Sequence, residues 1–183
     1  MKKVVLTFGI ISGVLSSLMM LATVPFMHKM GENEGWLIGY TAIVLSFLLV
    51  YFGIRSFRDN QGNGTITFGK AFGIGILITL ISCVFYVVTW EVVYFNFLHG
   101  FMDGYFAHQI EKIQASGASA AVIQAQVAAV QKSAVMYQNP LWNAMYTFIE
   151  PFPVGLVMTL ISAALLRRKV RRPEPSGEAL PAA

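Results

Sequence analysis

Four long apolar stretches constrain this chain more than any other feature of its sequence. They cover residues 4–27, 36–54, 71–98 and 141–166 of the 183. About 20 consecutive apolar residues are needed for a helix to cross the hydrocarbon core of a bilayer, and each stretch approaches or exceeds that length. Only 12% of the residues are charged, whereas a soluble domain has about a quarter. The sequence therefore predicts one all-α integral membrane domain with four transmembrane helices.

The first stretch begins with Lys2 and Lys3, as a secretory signal peptide would. Its apolar part is longer than the roughly 7–15 residues of a signal peptide, and no small-x-small cleavage site stands out before the second stretch. We interpret it as a retained first helix.

The distribution of basic residues predicts the orientation of the helices. If the chain starts in the cytoplasm, ten of the 13 basic residues fall on the cytoplasmic side, which is the usual bias of membrane proteins. The ten are Lys2, Lys3, Arg55, Arg58, Lys70, Arg167, Arg168, Lys169, Arg171 and Arg172. Both termini are therefore expected in the cytoplasm of a bacterium, with the chain in its inner membrane. The net charge of +4 is explained by this topology, and we expect no nucleic-acid partner.

The tryptophans support the same orientation. Trp36, Trp90 and Trp142 all fall near the predicted outer ends of their stretches, where aromatic side chains form a belt at the membrane–water interface. The bilayer itself is thus the first expected partner.

The stretch FIEPFPVGLV, residues 148–157, places Glu150, Pro151 and Pro153 inside the fourth apolar run. Neither proline can donate a helical hydrogen bond, so the helix should either kink here or begin at Pro151 with Glu150 as its cap. Glu91 is expected at nearly the same depth, about 5 Å inside the outer edge. Besides a structural role or contact with a partner, the two carboxylates are candidates to share a proton or bind a cation.

Small residues four positions apart occur twice, as Gly9 with Gly13 and as Gly69 with Gly73. Such pairs let helices approach closely in lipid. They predict packing within a four-helix bundle, and the same pattern would suit a homodimer interface.

The segments between the stretches differ in character. The segment 55–71 is polar and rich in turn residues, so we expect a tight interfacial loop. The segment 99–140 has apolar residues at helical spacing on either side of a break near Gly117, which predicts an amphipathic helical hairpin outside the cytoplasm. Its two seams comprise Phe106, Ile110 and Ile113, then Ile123, Val127, Val130, Ala134 and Tyr137. Residues 170–183 are expected to be a disordered tail, which leaves 1–169 as the membrane domain.

Several motifs occur in an order that resembles a known family. They are MKKVVLTFGIISG, YFGIRSFRDN with GTITFGKAF, TWEVVYFNF, MYQNPLWN and EPFPVGLVMTLISAALLRRK. Together they resemble domain of unknown function 4199, a family of small four-span membrane proteins of Bacteroidota. The resemblance covers residues 1–169 and implies neither an activity nor a cofactor. The family's pattern includes Trp90-Glu91 and Glu150-Pro151.

No catalytic signature is present in the sequence. There is no HExxH, GxSxG, Walker or dinucleotide motif, and the single cysteine, Cys83, cannot support a disulfide or a thiolate metal site within one chain. We therefore expect no enzyme, cofactor or metal. The favoured function is association with itself or with another membrane protein, and the alternative is an oligomeric transport or channel-like unit that uses the carboxylates.

Overall fold

The computed structural model describes residues 1–24, 32–98 and 100–168. The side chains of residues 32–36, which include Trp36, and the predicted tail at 170–183 lie outside this description. Seven helices occur in the described ranges. They are α1 (Lys2–Thr23), α2 (Glu32–Gln61), α3 (Phe68–Phe97), α4 (Phe101–Gln114), α5 (Ala120–Tyr137), α6 (Pro140–Ile149) and α7 (Pro151–Leu166).

Four helical segments are long and apolar enough to cross a membrane: Lys2–Thr23, Leu37–Gln61, Phe68–Phe97 and Pro140–Leu166. They match the four predicted stretches, so the prediction of an all-helical protein with four candidate membrane-spanning helices is confirmed. The described residues form no strand, and their one β-bridge pairs Ile66 with Arg168.

The second helix is longer than predicted. The sequence suggested an end near residue 54 and a loop over 55–71, but α2 continues to Gln61. Arg55 forms an i,i+4 ion pair with Asp59 at 3.5 Å, and the Asn60 amide donates to the Ser56 carbonyl at 2.9 Å. These local contacts suit a polar helical turn, so the true connection is only 62–67.

Helices α1, α2, α3 and α7 form a four-helix bundle in which α1 and α7 each contact both α2 and α3. Gly9 and Gly13 allow α1 to approach α3 closely. A Cβ atom at Gly9 would lie 2.9 Å from Ile81, and one at Gly13 would lie 2.7 Å from Phe85. These two glycines therefore lie against α3 within the bundle, and α3 occupies the face that a homodimer would have needed.

Gly69 and Gly73 do not pack inside the bundle, contrary to the prediction. A Cβ atom at either position would meet nothing within 4 Å. The close contact in this part of the fold is made by Gly75 of α3 and Gly155 of α7, whose Cβ positions lie 2.7 and 2.4 Å from Thr159 and Thr79. A sequence pair of small residues does not say which face of a helix turns inward when all faces are apolar.

Hydroxyl side chains link the helices across the middle of the bundle. Ser12 of α1 donates to the Ser46 carbonyl of α2 at 2.9 Å and lies 3.0 Å from the Ser82 hydroxyl of α3. Thr79 and Thr159 join α3 to α7 at 3.1 Å. Such bonds contribute about 0.6 kcal/mol each in a membrane, so they fix the register of helices that close packing holds together.

Helices α4 and α5 form the predicted helical hairpin. Its backbone lies close to the rest of the chain only where α5 meets α6, and side chains at the end of α5 also contact α3. The residues predicted to form its seam are partly buried, whereas most of the positions between them are exposed. The hairpin is joined to the bundle at the end where α3 stops and α6 begins, which we call the hairpin end.

The opposite end of the bundle is closed by two contacts. The amino group of Met1 donates to the Gln61 side chain at 2.7 Å. Ile66 and Arg168 exchange two backbone hydrogen bonds at 3.2 and 2.9 Å. The start of α1, the α2–α3 connection and the end of α7 therefore lie together, as an even number of crossings requires.

Candidate functional site

The fourth membrane segment is divided in two at Glu150. Helix α6 ends at Ile149 and α7 begins at Pro151, while Glu150 keeps helical dihedral angles, φ −67° and ψ −59°. Pro151 cannot donate to the Thr147 carbonyl, and Pro153 cannot donate to that of Ile149. The interruption that the two prolines predicted is present, with Pro151 in the first turn of the new helix.

The Glu150 side chain does not cap α7, which was one of the two sequence-based alternatives. It turns instead toward α3, where the Tyr86 hydroxyl donates to Oε2 of Glu150 at 3.0 Å. The bond crosses the interface between two membrane segments, so a partly buried carboxylate obtains a donor from another helix.

A small cavity lies beside this pair. It is lined by Ser16, Ile43, Phe47, Ser82, Tyr86 and Pro151 and is too narrow to hold a water molecule. Although hydroxyls line it, the centre of a single bundle is therefore closed at this level.

Glu91 lies on a different face of α3 from the Glu150 contact. Tyr86 and Glu91 are five residues apart, which is about 140° around a helix. In the described part of the chain, Oε1 of Glu91 is the one enclosed side-chain oxygen or nitrogen without a hydrogen-bond partner. An unsatisfied polar atom of this kind costs about 1–3 kcal/mol. The structure thus gives the two carboxylates separate surroundings, and their sharing of a proton or cation stays a prediction.

Tyr137, the last residue of α5, connects the hairpin to the bundle. The Trp90 indole of α3 donates to its hydroxyl at 3.0 Å, and the Asn143 amide of α6 donates to its carbonyl at 3.1 Å. Its ring also contacts Tyr94, Phe106 and Tyr146, with centroids 5.4, 6.1 and 6.2 Å away. We call Trp90, Tyr94, Phe106, Tyr137 and Tyr146 the aromatic cluster. Burial raises the pKa of Tyr137 to about 12, so its phenol stays protonated at physiological pH.

The structure describes the side chains of two of the three tryptophans in the predicted aromatic belt. Trp90 belongs to the aromatic cluster, and Trp142 is 41% exposed on α6 in the same region. The Trp36 side chain lies outside the described residues.

An apolar groove of about 340 Å³ lies between α3 and α6 near the hairpin end. Its lining consists of Val84, Val87, Val88, Leu141, Ala144, Met145, Phe148 and Ile149. Several of these side chains are among the most exposed of the two helices, including Val84 and Val88 at 56% and Leu141 at 70%.

The sequence reading missed two residues that complete this region. Tyr86 supplies the donor for Glu150, and Asn143, which is fully buried, joins α6 to Tyr137. A polar side chain inside an apolar run is the signal that could have marked both, because such a group needs a partner in lipid.

No group of three or more His, Cys, Asp or Glu side chains within the described residues could hold a metal ion. The region contains two carboxylates in separate surroundings, an aromatic cluster and an apolar groove.

Comparison with known proteins gives a family but no activity. No curated protein and no solved structure matches the chain. The model of a family described as "Protein of unknown function (DUF4199)" matches residues 7–168. That range includes all four candidate membrane helices except the first residues of α1, and it includes both carboxylates. The chain therefore belongs to the DUF4199 family.

Proposed function

We propose that this chain is a non-catalytic protein of a bacterial inner membrane that acts by association with itself or with another membrane protein. The first and fourth membrane helices begin and end, respectively, on the cytoplasmic side in this proposal, and the hairpin lies on the outer side. The bias of ten basic residues against three supports the orientation.

The hairpin carries the proposal for association. Its described residues reach the rest of the chain at the end of α5, through α6 and through the α3 side chains of the aromatic cluster. Much of the surface of both its helices is exposed. Apolar side chains occur on these surfaces, with Val122 45% exposed and Val135 70% exposed on α5. Exposed apolar residues outside the spanning helices suit contact with another helix.

The glycine pairs give weaker support for association. Gly9 and Gly13 are used inside the bundle, whereas Gly69 and Gly73 face away from it. Only the second pair is open to another chain.

Photo-crosslinking in intact membranes tests the proposal. A photoreactive amino acid at Val135 is compared with one at Leu165 of α7, because both positions are 70% exposed and only Val135 lies on the hairpin. We expect a discrete protein adduct from Val135 and lipid adducts from Leu165. Adduct mass separates self-association, at twice 20.2 kDa, from a different partner. An absence of protein adducts from both Val135 and Val122 would contradict the proposal.

A transport or channel-like unit is the second candidate. It is favoured by two carboxylates in candidate membrane helices, one with an oxygen that lacks a donor. Because the cavity beside Tyr86 is too narrow to hold water, this candidate places the path between copies of the chain. Proton or cation uptake by proteoliposomes that Glu91→Gln or Glu150→Gln abolishes would support this candidate. Equal uptake by wild type and both variants would exclude a role for these carboxylates.

A further inference from the structure

The groove between α3 and α6 and the residue Glu91 lie on one face of α3. Glu91 follows Val87 by four residues and Val88 by three, and side chains at these spacings are neighbours on a helix surface. Val87 and Val88 line the groove. Since α3 runs toward the hairpin end, Glu91 stands one turn beyond the groove in that direction.

The lining of the groove favours a hydrocarbon occupant. All eight of its lining side chains are apolar, and both helices belong to candidate membrane spans. The medium that meets such a surface in a bilayer is the acyl chain of a lipid.

A carboxylate in a candidate membrane helix is stabilised by pairing with a cation. Oε1 of Glu91 has no partner, and no ion pair joins Glu91 to a cation of the described chain. Bonds between an ammonium and a carboxylate are among the stronger hydrogen bonds in proteins.

We propose that the α3–α6 groove and Glu91 together bind a phospholipid with a primary-amine head group, of the phosphatidylethanolamine type. One acyl chain lies along Val84, Val88 and Ala144, and the ammonium donates to Oε2 of Glu91, because Oε1 is enclosed. The inference is independent of the proposed association through the hairpin.

Lipid binding to the delipidated, full-length protein in detergent tests the inference. Phosphatidylethanolamine and phosphatidylcholine with the same acyl chains are titrated separately, and bound lipids are counted by native mass spectrometry. The two head groups carry equal charge, but the quaternary ammonium of phosphatidylcholine has no N–H donor. We expect wild type to bind the primary amine about tenfold more tightly, as suits one charge-assisted bond.

Two variants separate the head group from the tail. Glu91→Gln should reduce the preference for the primary amine to below about threefold, because an amide lacks the charge. Ala144→Phe should weaken both lipids alike by filling the groove. Should that variant not fold, Val88→Trp fills the groove from α3, where the side chain is 56% exposed. Glu111→Gln on the hairpin, whose side chain is 76% exposed, and Leu165→Phe on α7 are the matched controls.

Three results would overturn the inference. They are equal binding of the two lipids by wild type, a preference that persists in Glu91→Gln, and a groove filled by a second copy of the chain. The last would appear as a lipid-free dimer that Ala144→Phe dissociates.

Discussion

The Tyr86 hydroxyl donates to the Glu150 carboxylate across 3.0 Å and joins α3 to the point where the fourth membrane segment is interrupted. Two prolines remove backbone hydrogen bonds of the helix at that point. The Tyr86–Glu150 bond is a polar contact that ties this interrupted region to the bundle. Its loss should therefore be measurable.

Tyr86→Phe should destabilise the protein by about 1–3 kcal/mol, because it leaves a partly buried carboxylate without its donor. Reversible unfolding in mixed micelles measures the free energy of unfolding. Combining this change with Glu150→Gln should cost less than the sum of the single changes, since the orphaned charge is then absent. Tyr146→Phe, at a 44% exposed residue, is the control. Equal losses for the Tyr86 and Tyr146 variants would show that the bond contributes nothing specific.

Tyr137→Ala should release the hairpin while the bundle stays folded. The ring contacts α3, α4 and α6, and removal of a large aromatic side chain costs roughly 3 kcal/mol. Hydrogen exchange should then speed up in α4 and α5 but not in α1 or α7. Val135→Ala, on the exposed side of α5, should leave exchange unchanged. A rise in exchange throughout the protein would indicate that the cluster supports the whole fold.

The two glycine pairs should respond oppositely to alanine. Gly13→Ala should lower stability by about 1–3 kcal/mol, because its Cβ would overlap Phe85. Gly73→Ala should be neutral or stabilising by up to about 1 kcal/mol, since the site is open and alanine favours helix. Thermal unfolding in detergent compares the two. If Gly73→Leu splits an oligomer without changing monomer unfolding, the open pair is an interface between chains.

Cysteine labelling in intact cells tests the proposed orientation. The background is Cys83→Ala, which removes a buried thiol, and single cysteines replace Gln126 on the hairpin or Asn63 in the α2–α3 connection. A membrane-impermeant maleimide should label position 126 only. Labelling of position 63 in unbroken cells would contradict the proposed orientation and indicate the opposite one.

The four candidate membrane helices and the hairpin seam were predictable from the sequence, because apolar length and helical periodicity are strong local signals. The continuation of α2 to Gln61 was not, since Arg55–Asp59 pairing turns an apparent loop into helix. The sequence also did not indicate which face of α3 turns toward the other helices. Its surface is apolar all round, so the sequence could not show that Gly75 packs while Gly73 is open.

The candidate site was predicted in its residues but not in its geometry. Glu91 and Glu150 were identified as exceptional because charge is rare in membrane helices. Their surroundings depend on the rotation of α3, which places Tyr86 toward Glu150 and Glu91 about 140° away. Only tertiary packing fixes that rotation.

The interruption at Glu150 also has a mechanical consequence. With two backbone bonds missing, the fourth segment is least stiff at this point, so α6 can tilt relative to α7 and carry with it the end of α5 that it contacts. Helix α5, with its 18 residues, is about 27 Å long. A bend of about 10° at Glu150 would displace the far end of an arm of that length by about 5 Å, so a slight change in the tilt of α6 is magnified at the tip of the hairpin.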